Sequence, residues 1–117
     1  MARPVWLTVD TKFASAHFLP EYEGRCVNLH GHTWKVEVRF GPYIKRDRVG
    51  IARDFHDLKV ILNDICDKLD HSLINDRVER PTAENILDWF YEELSASGEP
   101  IEDRAVTLWE SDHAAVS

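Results

Sequence analysis

The sequence lacks the long apolar run of a membrane-spanning helix and the cysteine content of a disulfide-linked secreted protein. No stretch approaches the roughly 18 apolar residues that a membrane span requires. Only two cysteines, Cys26 and Cys66, occur in 117 residues, and no apolar signal core follows Met1. We therefore expect a reduced, cytoplasmic protein in which the two thiols act separately.

Positive charge is also scarce. The chain has 14 Lys and Arg against 21 Asp and Glu, which gives a formal net charge of −7. A general binder of nucleic acid or of anionic membranes is disfavoured, because both classes need a basic surplus to meet phosphates. A local basic pocket remains compatible with this charge.

The chain has the size and the composition of one globular domain. Its 117 residues predict a single domain over residues 1–117. Hydrophobic residues make up 44% and charged residues 30%, both ordinary for a soluble protein. We see no internal repeat and no low-complexity segment.

Two segments in the first third of the chain alternate between apolar and polar residues. Residues 5–13 are mostly of period two, and residues 33–40 place four apolar side chains on one face and charged side chains on the other. This pattern predicts antiparallel strands with one wet face. We expect Gly41 and Pro42 to end the second strand. Between the strands, residues 20–31 are predicted to form a functional loop.

The second half of the chain changes to a helical period. A first helix is predicted after Asp54, a plausible N-cap, and a second helix near residues 81–82. A last strand is predicted at residues 105–110, with a possible short strand in the tail. The apolar stripes of the two helices consist of Leu58, Ile61, Leu62, Ile65 and Leu69, and of Ile86, Leu87, Phe90 and Leu94.

The element order strand, strand, helix, helix, strand indicates an α+β fold, because strands and helices are grouped apart. A sheet this small leaves exposed edges. Pairing with other subunits is one way to close such edges. An oligomer is therefore expected from the pattern of elements alone.

The strongest chemical signal is the segment His30-Gly31-His32. Residues two apart in an extended chain point the same way, so both imidazoles can reach one ion. A catalytic zinc site typically has three protein ligands and one open position. His17, at the end of the first strand, is the preferred third ligand. Taken alone, the two histidines of a His-x-His segment are more often unconnected surface or core residues than metal ligands.

Three further positions leave two interpretations open. Cys26 lies in the polar loop, where a thiolate could be a ligand, a base or a nucleophile, and the alternative is a small buried core side chain. That alternative is the preferred interpretation of Cys66, which lies beside an apolar stripe. The pair Asp70 and His71 could be an acid–base pair, or a histidine at a helix C-terminus. Glu110 shares a face with apolar residues and could bind a ligand with two N–H groups, or could turn to solvent.

Thr82 is interpreted chiefly as the N-cap of the second helix, with a ligand contact as the alternative. His56 and His113 are interpreted as surface residues.

Four motifs occur in order along the chain: residues 13–17 (FASAH), 26–32 (CVNLHGH), 69–75 (LDHSLIN) and 81–85 (PTAEN). Residues 50–59, before the first helix, add a fifth. Together with Glu110 they closely resemble the 6-pyruvoyltetrahydropterin synthase family, whose queuosine-pathway branch contains 6-carboxytetrahydropterin synthase. The resemblance covers nearly the whole chain.

The resemblance implies the tunnelling fold, in which the sheets of three subunits join into a barrel and two trimers stack as a hexamer. It implies active sites at subunit interfaces. It also implies a Zn²⁺ ion held by His17, His30 and His32, a catalytic set of Cys26, Asp70 and His71, and substrate contacts from Glu110 and, more weakly, Thr82.

The implied activity is conversion of 7,8-dihydroneopterin triphosphate to 6-carboxy-5,6,7,8-tetrahydropterin with loss of triphosphate and acetaldehyde. The alternatives are a 6-pyruvoyltetrahydropterin synthase, an enzyme that releases a hydroxymethyl pterin, and a non-catalytic zinc- or pterin-binding module. Glu21 and Glu23 keep open a variant in which glutamate replaces the catalytic cysteine. The cations for the triphosphate could come from Lys12, Arg25, Arg77 or Arg80. The brief tail, residues 112–117, departs from the fuller last strand of the family.

Overall fold

The structure is a computed structural model that describes residues 2–21, 24 and 27–117. Four antiparallel strands form one sheet in the order β1-β2-β3-β4. Two helices pack on one face of this sheet, and both contribute to the same hydrophobic core as the strands. The prediction of an α+β fold is confirmed. The elements are β1 Val5–His17, β2 His30–Tyr43, α1 Phe55–Asp67, α2 Ala83–Ser95, β3 Ile101–Ser111 and β4 Ala114–Val116.

The first two strands are longer than the sequence pattern predicts. The alternation of β1 is clear only as far as Phe13, but the strand ends at His17, as the choice of the third ligand assumed, and β2 begins at His30 rather than at residue 33. The two strands pair in antiparallel register over this added length, from Ala14 opposite Thr33 to His17 opposite His30. The small side chains at residues 14–16 hide the alternation of apolar and polar residues. Pairing with β2, rather than that alternation, therefore defines the end of β1.

The prediction that Gly41 and Pro42 end β2 was wrong. The strand runs through a cis Gly41–Pro42 peptide bond to Tyr43, beside an irregularity in the register with β1. Gly41 has a φ of 139°, and a Cβ atom there would lie 2.8 Å from the Trp6 ring and 2.9 Å from the Val5 carbonyl oxygen. Glycine is therefore required by the close approach of β1, and it does not act as a strand breaker here.

Both helices begin at the residues that the sequence predicts. The Asp54 side chain accepts a hydrogen bond from the His56 backbone N–H at 2.8 Å. The Thr82 hydroxyl accepts one from the Asn85 N–H at 3.1 Å. These contacts satisfy donors that a helix start leaves unpaired.

The segment between the helices differs from the prediction in one respect. α1 ends at Asp67, so Asp70 and His71 lie in the following turn and not at the helix terminus. The chain then forms a short 3₁₀ turn, Ile74–Asp76, which buries Ile74 in the core.

The last strand is also longer than predicted. β3 spans Ile101–Ser111, with Arg104 in the left-handed region at a φ of 62°. The tail forms the short strand β4, as the sequence allowed, and β4 pairs with the end of β3. No helix among the described residues is long and apolar enough to cross a membrane.

The core lies between the sheet and the helices. Its largest fully buried side chains include Trp34 and Phe40 from β2 and Phe90 from α2. Phe13 stacks on Trp34 with ring centroids 6.1 Å apart, and it also contacts Phe90. This aromatic cluster fixes the helix-facing side of β1 and β2, the side on which the three predicted histidine ligands lie.

Candidate metal centre and active site

The three predicted metal ligands come together where β1 ends and β2 begins. His17 pairs directly with His30 in the β1–β2 register, and Ser15 pairs with His32. The imidazole centroids are 4.5 Å apart for His17 and His30, 5.3 Å for His17 and His32, and 4.8 Å for His30 and His32. One potential ligand atom from each residue lies within 4.8 Å of the other two. This spacing can hold a single ion.

Backbone carbonyls fix the orientation of two of these rings. Nδ1 of His17 donates to the carbonyl oxygen of Pro81 at 2.8 Å, and Nδ1 of His30 donates to that of Asn28 at 2.7 Å. A carbonyl only accepts hydrogen bonds, so the proton lies on Nδ1 and the Nε2 lone pair is free. Metal-binding histidines are commonly held in this way.

The Nε2 atoms of His17 and His32 are buried and have no hydrogen-bond partner among the described residues. An unpaired buried polar atom is costly, so it calls for a partner. A metal ion between the three rings would supply that partner. The donor set therefore fits a divalent transition metal, and three imidazoles leave a coordination position open.

Burial also favours the protonation state that binds metal. Desolvation by the surrounding core lowers the pKa of His17, and it lowers the pKa of His32 in the same way. Both imidazoles are consequently neutral at neutral pH. Neutral imidazole is the form that donates a nitrogen lone pair to an ion.

Trp34 was not identified as a site residue from the sequence. Its ring packs edge-on against His17 and His32, with centroid distances of 5.1 Å and 5.3 Å. It is fully buried and forms the inner wall of the metal centre. The sequence contained a signal for this role, because residues 32 and 34 are two apart on one strand and therefore point to the same face.

Glu110 lies beside the metal centre. Its Oε1 is 3.4 Å from Nε2 of His32, a contact without hydrogen-bond geometry. Its side chain is half-buried at the end of β3. It lines a cavity of about 300 Å³ together with Glu84, Leu108 and residues 114–116 of the tail. Of the two interpretations from the sequence, the one that points Glu110 toward the site therefore agrees with its position.

Asp70 and His71 form a pair at the outer edge of β1. Oδ2 of Asp70 is 2.9 Å from Nδ1 of His71, and Oδ1 accepts a hydrogen bond from the Ala14 N–H at 2.9 Å. That backbone hydrogen bond, with a smaller contribution from His71, lowers the pKa of Asp70. The carboxylate therefore stays ionised and orients the imidazole.

His71 itself has an unusual backbone. Its φ of 54° lies in the left-handed region, and its N–H donates to the Ala14 carbonyl oxygen at 2.6 Å. Its side chain is 82% exposed. A non-glycine residue in this conformation costs energy and is often found at a functional site. In this chain the conformation presents the ring to the surroundings of the subunit.

The other predicted site residues have diverse placements. Cys26, with Glu23 and Arg25, lies outside the described residues. Thr82 caps α2, as favoured from the sequence. Glu21 forms an ion pair with Arg80 at 2.9 Å.

Cys66 is buried in the core, and burial raises the pKa of its thiol to about 12, which agrees with a structural role.

Comparison with known proteins assigns the chain to a family. The family model for 6-pyruvoyl tetrahydropterin synthase matches residues 6–117. The chain belongs to this family. The resemblance inferred from the four sequence motifs is thereby confirmed, and the metal centre lies in a 6-pyruvoyl tetrahydropterin synthase domain.

Several family members are similar over most of their length. A protein of Archaeoglobus fulgidus is 38% identical over 98 residues, which are 84% of this chain and 83% of that protein. The 6-carboxy-5,6,7,8-tetrahydropterin synthase of Synechocystis is 37% identical over 101 residues, 78% of this chain and 75% of the relative. The 6-pyruvoyl tetrahydrobiopterin synthase of Dictyostelium discoideum is 34% identical over 113 residues, with 83% of each chain covered.

The fold of the family is confirmed by a solved structure. The 6-pyruvoyl tetrahydropterin synthase of Caenorhabditis elegans superposes with a TM-score of 0.73 at 25% identity, over 99% of this chain and 96% of that chain. The four-stranded sheet with two helices on one face is therefore the subunit of the tunnelling fold that the motifs implied.

Proposed function

We propose that this chain is a zinc-dependent 6-carboxytetrahydropterin synthase of the queuosine branch of its family. It converts 7,8-dihydroneopterin triphosphate to 6-carboxy-5,6,7,8-tetrahydropterin with loss of triphosphate and acetaldehyde. Relatives named 6-carboxy-5,6,7,8-tetrahydropterin synthase support the identity of the product. The cluster of three histidines supports a metal-dependent reaction. The observation that carries the proposal is the convergence of three imidazoles on one point in a domain of the 6-pyruvoyl tetrahydropterin synthase family.

The ligands in this proposal are His17, His30 and His32, and the ion is Zn²⁺. Three nitrogen ligands with an open position are typical of catalytic zinc. When bound there, zinc would supply Lewis acidity to oxygens of the substrate side chain. The carbonyls of Pro81 and Asn28 keep two of the rings in the ligating tautomer, and Trp34 excludes water from the inner side.

Proton transfer in this proposal belongs to three residues. Cys26 abstracts a proton from the substrate side chain as a thiolate, by analogy with the family motif that it shares. The imidazole of His71 passes protons on, while Asp70 holds the Nδ1 proton and leaves Nε2 free to exchange. No redox cofactor is required, because the electrons that reduce the ring come from the substrate side chain.

Substrate recognition is assigned to the carboxylate of Glu110. A pterin ring presents adjacent N–H groups that one carboxylate can accept bidentately, and such charge-assisted hydrogen bonds are strong. The half-buried position of Glu110 beside the centre supports this assignment. Thr82, at the start of α2, is a weaker candidate for a pterin contact because its hydroxyl already caps the helix.

The working enzyme is proposed to be a cytoplasmic hexamer, a dimer of trimers. The free edges of a four-stranded sheet support joining of sheets between subunits, because unpaired edges are a liability. The exposure of His71 supports a site completed by a neighbouring subunit. Cys26 and the Asp70–His71 pair could then act on one substrate from different chains.

Incubation of the zinc-loaded protein with 7,8-dihydroneopterin triphosphate, followed by mass spectrometry, tests the proposal. The expected products are 6-carboxytetrahydropterin, acetaldehyde and triphosphate in equal amounts. A pyruvoyl product would assign the chain to the activity named for the Dictyostelium relative, and a hydroxymethyl pterin to an aldolase. Stoichiometric zinc without any turnover would support a binding module and defeat the enzyme proposal.

A further inference from the structure

The sheet face that turns away from the helices carries a second cavity. It has a volume of about 240 Å³ and lies on the opposite side of the sheet from the metal centre. Phe13 and Trp34 point toward the helices and are buried, so their chain neighbours Lys12 and Lys35 point to the other face. The cavity is lined by Lys12, Thr33, Lys35, Trp109, Ser111 and Asp112.

Two lysines face each other across the floor of this cavity. Lys12 and Lys35 are direct partners in the β1–β2 register. Directly opposed side chains in an antiparallel pair have Cβ atoms about 5 Å apart, and like charges in that position are destabilising. Neither ammonium forms an ion pair within the part of the chain that the structure describes. An anion between them would remove the repulsion.

The remaining lining residues add hydrogen-bond donors. Trp109 is the register partner of Lys35 on β3, so one row across three strands contains both lysines and the indole. The Nε1 atom of Trp109 is buried and has no hydrogen-bond partner among the described residues. Thr33 and Ser111 contribute hydroxyl groups. This set is rich in donors, and an indole nitrogen can only donate.

The negative groups near the cavity set the limits of its affinity. Asp112 is the one carboxylate among the lining residues and opposes an anion. Asp10 and Glu37 form the next row of the same face and are also direct partners. The lining alone therefore has two ammonium groups and one carboxylate, and the two carboxylates of the next row offset this excess over the wider face.

We propose that the pocket between Lys12, Lys35 and Trp109 is a binding site for a phosphate-type oxyanion. Of the cations that the sequence offered for the triphosphate, Lys12 lies in this pocket and Arg25 lies outside the described residues. Arg80 is paired with Glu21, and the Nε of Arg77 donates to the Lys68 carbonyl oxygen. The phosphate is a free oligophosphate or the triphosphate end of a substrate whose pterin is held by another subunit, because the metal centre of the same subunit lies on the other face of the sheet. The site is separate from the metal centre, so its existence does not rest on the proposed reaction.

Calorimetric titration of the zinc-loaded protein with inorganic triphosphate tests this site. We expect saturable binding that weakens about tenfold for each lysine removed, in Lys12→Ala and in Lys35→Ala, the loss expected for one charge-assisted hydrogen bond. Trp109→Phe keeps the ring but removes the N–H and is expected to weaken binding less. Asp112→Asn is expected to strengthen it, because it removes the opposing charge.

Two controls isolate the pocket. The double variant Lys45→Ala/Arg48→Ala removes two positive charges from an exposed loop, and its affinity should equal that of the wild type. His32→Ala, which is expected to lose the metal, should still bind triphosphate through the pocket. Absence of saturable binding, or an equal loss in the loop control, would overturn the site.

The same variants identify the source of the phosphate. If the KM for 7,8-dihydroneopterin triphosphate rises in parallel with the Kd for inorganic triphosphate, the pocket holds the triphosphate end of the substrate. If KM is unchanged while Kd rises, the pocket binds a free oligophosphate. Both results support an oxyanion site, and circular dichroism of each variant checks that the sheet is intact.

Discussion

The imidazoles of the metal centre are not held alike. The Nδ1–H groups of His17 and His30 each donate a hydrogen bond to a backbone carbonyl oxygen. The ring of His32 is instead positioned by its edge-on contact with Trp34 and by the nearby carboxylate of Glu110. The oriented rings resemble the ligands of a preformed site, in which second partners fix the tautomer. Loss of any one ring would leave two ligands, too few for a stable catalytic zinc site.

The substitution His32→Ala is expected to abolish stoichiometric metal binding without unfolding the protein. The ring is only partly buried, so its removal costs little core packing, while the ion loses one of three ligands. Elemental analysis after dialysis measures the zinc content. His113→Ala, which removes an exposed histidine in the β3–β4 turn, is the matched control and should retain full zinc. Full zinc in His32→Ala would remove this residue from the ligand set.

Cys26→Ala is expected to keep zinc and fold but to lose most turnover. Removal of a general base lowers kcat by about 10² to 10⁴-fold, because a positioned proton acceptor is lost. Steady-state kinetics with 7,8-dihydroneopterin triphosphate measures the effect. Cys66→Ala is the second thiol variant and should leave kcat unchanged, since that thiol is buried in the core. Normal turnover by Cys26→Ala would transfer the role of base to another residue, with Glu21 as the first candidate.

The ends of several elements meet in a polar cluster remote from the metal centre. Arg53, before α1, contacts both carboxylate oxygens of Glu99 at 3.0 Å and 3.1 Å. Tyr43, at the end of β2, donates to the same carboxylate at 2.7 Å. The hydrogen bonds from Arg53 lower the pKa of Glu99. Burial of the carboxyl group raises the pKa, but by less, so the net shift is downward. The cluster therefore joins β2, the start of α1 and the α2–β3 connection.

The Glu99 cluster should make the stability of the domain dependent on pH. A depressed carboxyl pKa contributes stability above its ordinary value of about 4.3, and that contribution disappears as the pH falls through the folded-state pKa. Glu99→Gln is expected to lower the free energy of unfolding by about 1–3 kcal/mol at pH 7. The difference from the wild type should shrink in acid.

Urea unfolding at pH 7 and at about pH 3 measures this difference. Glu92→Gln, which changes an exposed carboxylate on α2, is the control and should be close to neutral at both values. An equal destabilisation by Glu99→Gln at both values would mean that shape, and not charge, holds the cluster together.

At the scale of the whole molecule, one subunit presents the proposed catalytic pair Asp70–His71 with its imidazole facing outward. The Asp70–His71 pair is anchored to the edge of β1 by the backbone of Ala14, and its imidazole is exposed. A site that needs this imidazole and Cys26 together is most simply completed between subunits. The proposed hexamer gives each subunit a neighbour that can supply the missing half.

Mixed oligomers test the shared site directly. Cys26→Ala and His71→Ala should each be nearly inactive as pure oligomers. If the two residues act from different chains, dissociation, mixing and reassembly should restore part of the activity, because some interfaces then contain both intact groups. Light scattering checks that the mixture reassembles, and the mixture of Cys26→Ala with the wild type is the reference. Activity that never rises on mixing would place both groups in one chain.

The sequence alone determined what depends on neighbours along the chain. The apolar period of β2 and of both helices, and the caps Asp54 and Thr82, follow from side-chain direction and hydrogen bonding over a few residues. The order of the four motifs was enough to identify the family. These features are local, or are properties of the sequence itself, and need no knowledge of what packs against what.

Only the tertiary structure decided what depends on the pairing of distant segments. Four features follow from strand register: the start of β2 at His30, its passage through Gly41, the inward placement of Glu110 and the opposition of Lys12 to Lys35. Register is fixed by the burial of one whole sheet face at once, and a shift of one residue would turn every side chain to the other face. No local pattern contains that information, because it arises from contacts between residues far apart in the chain.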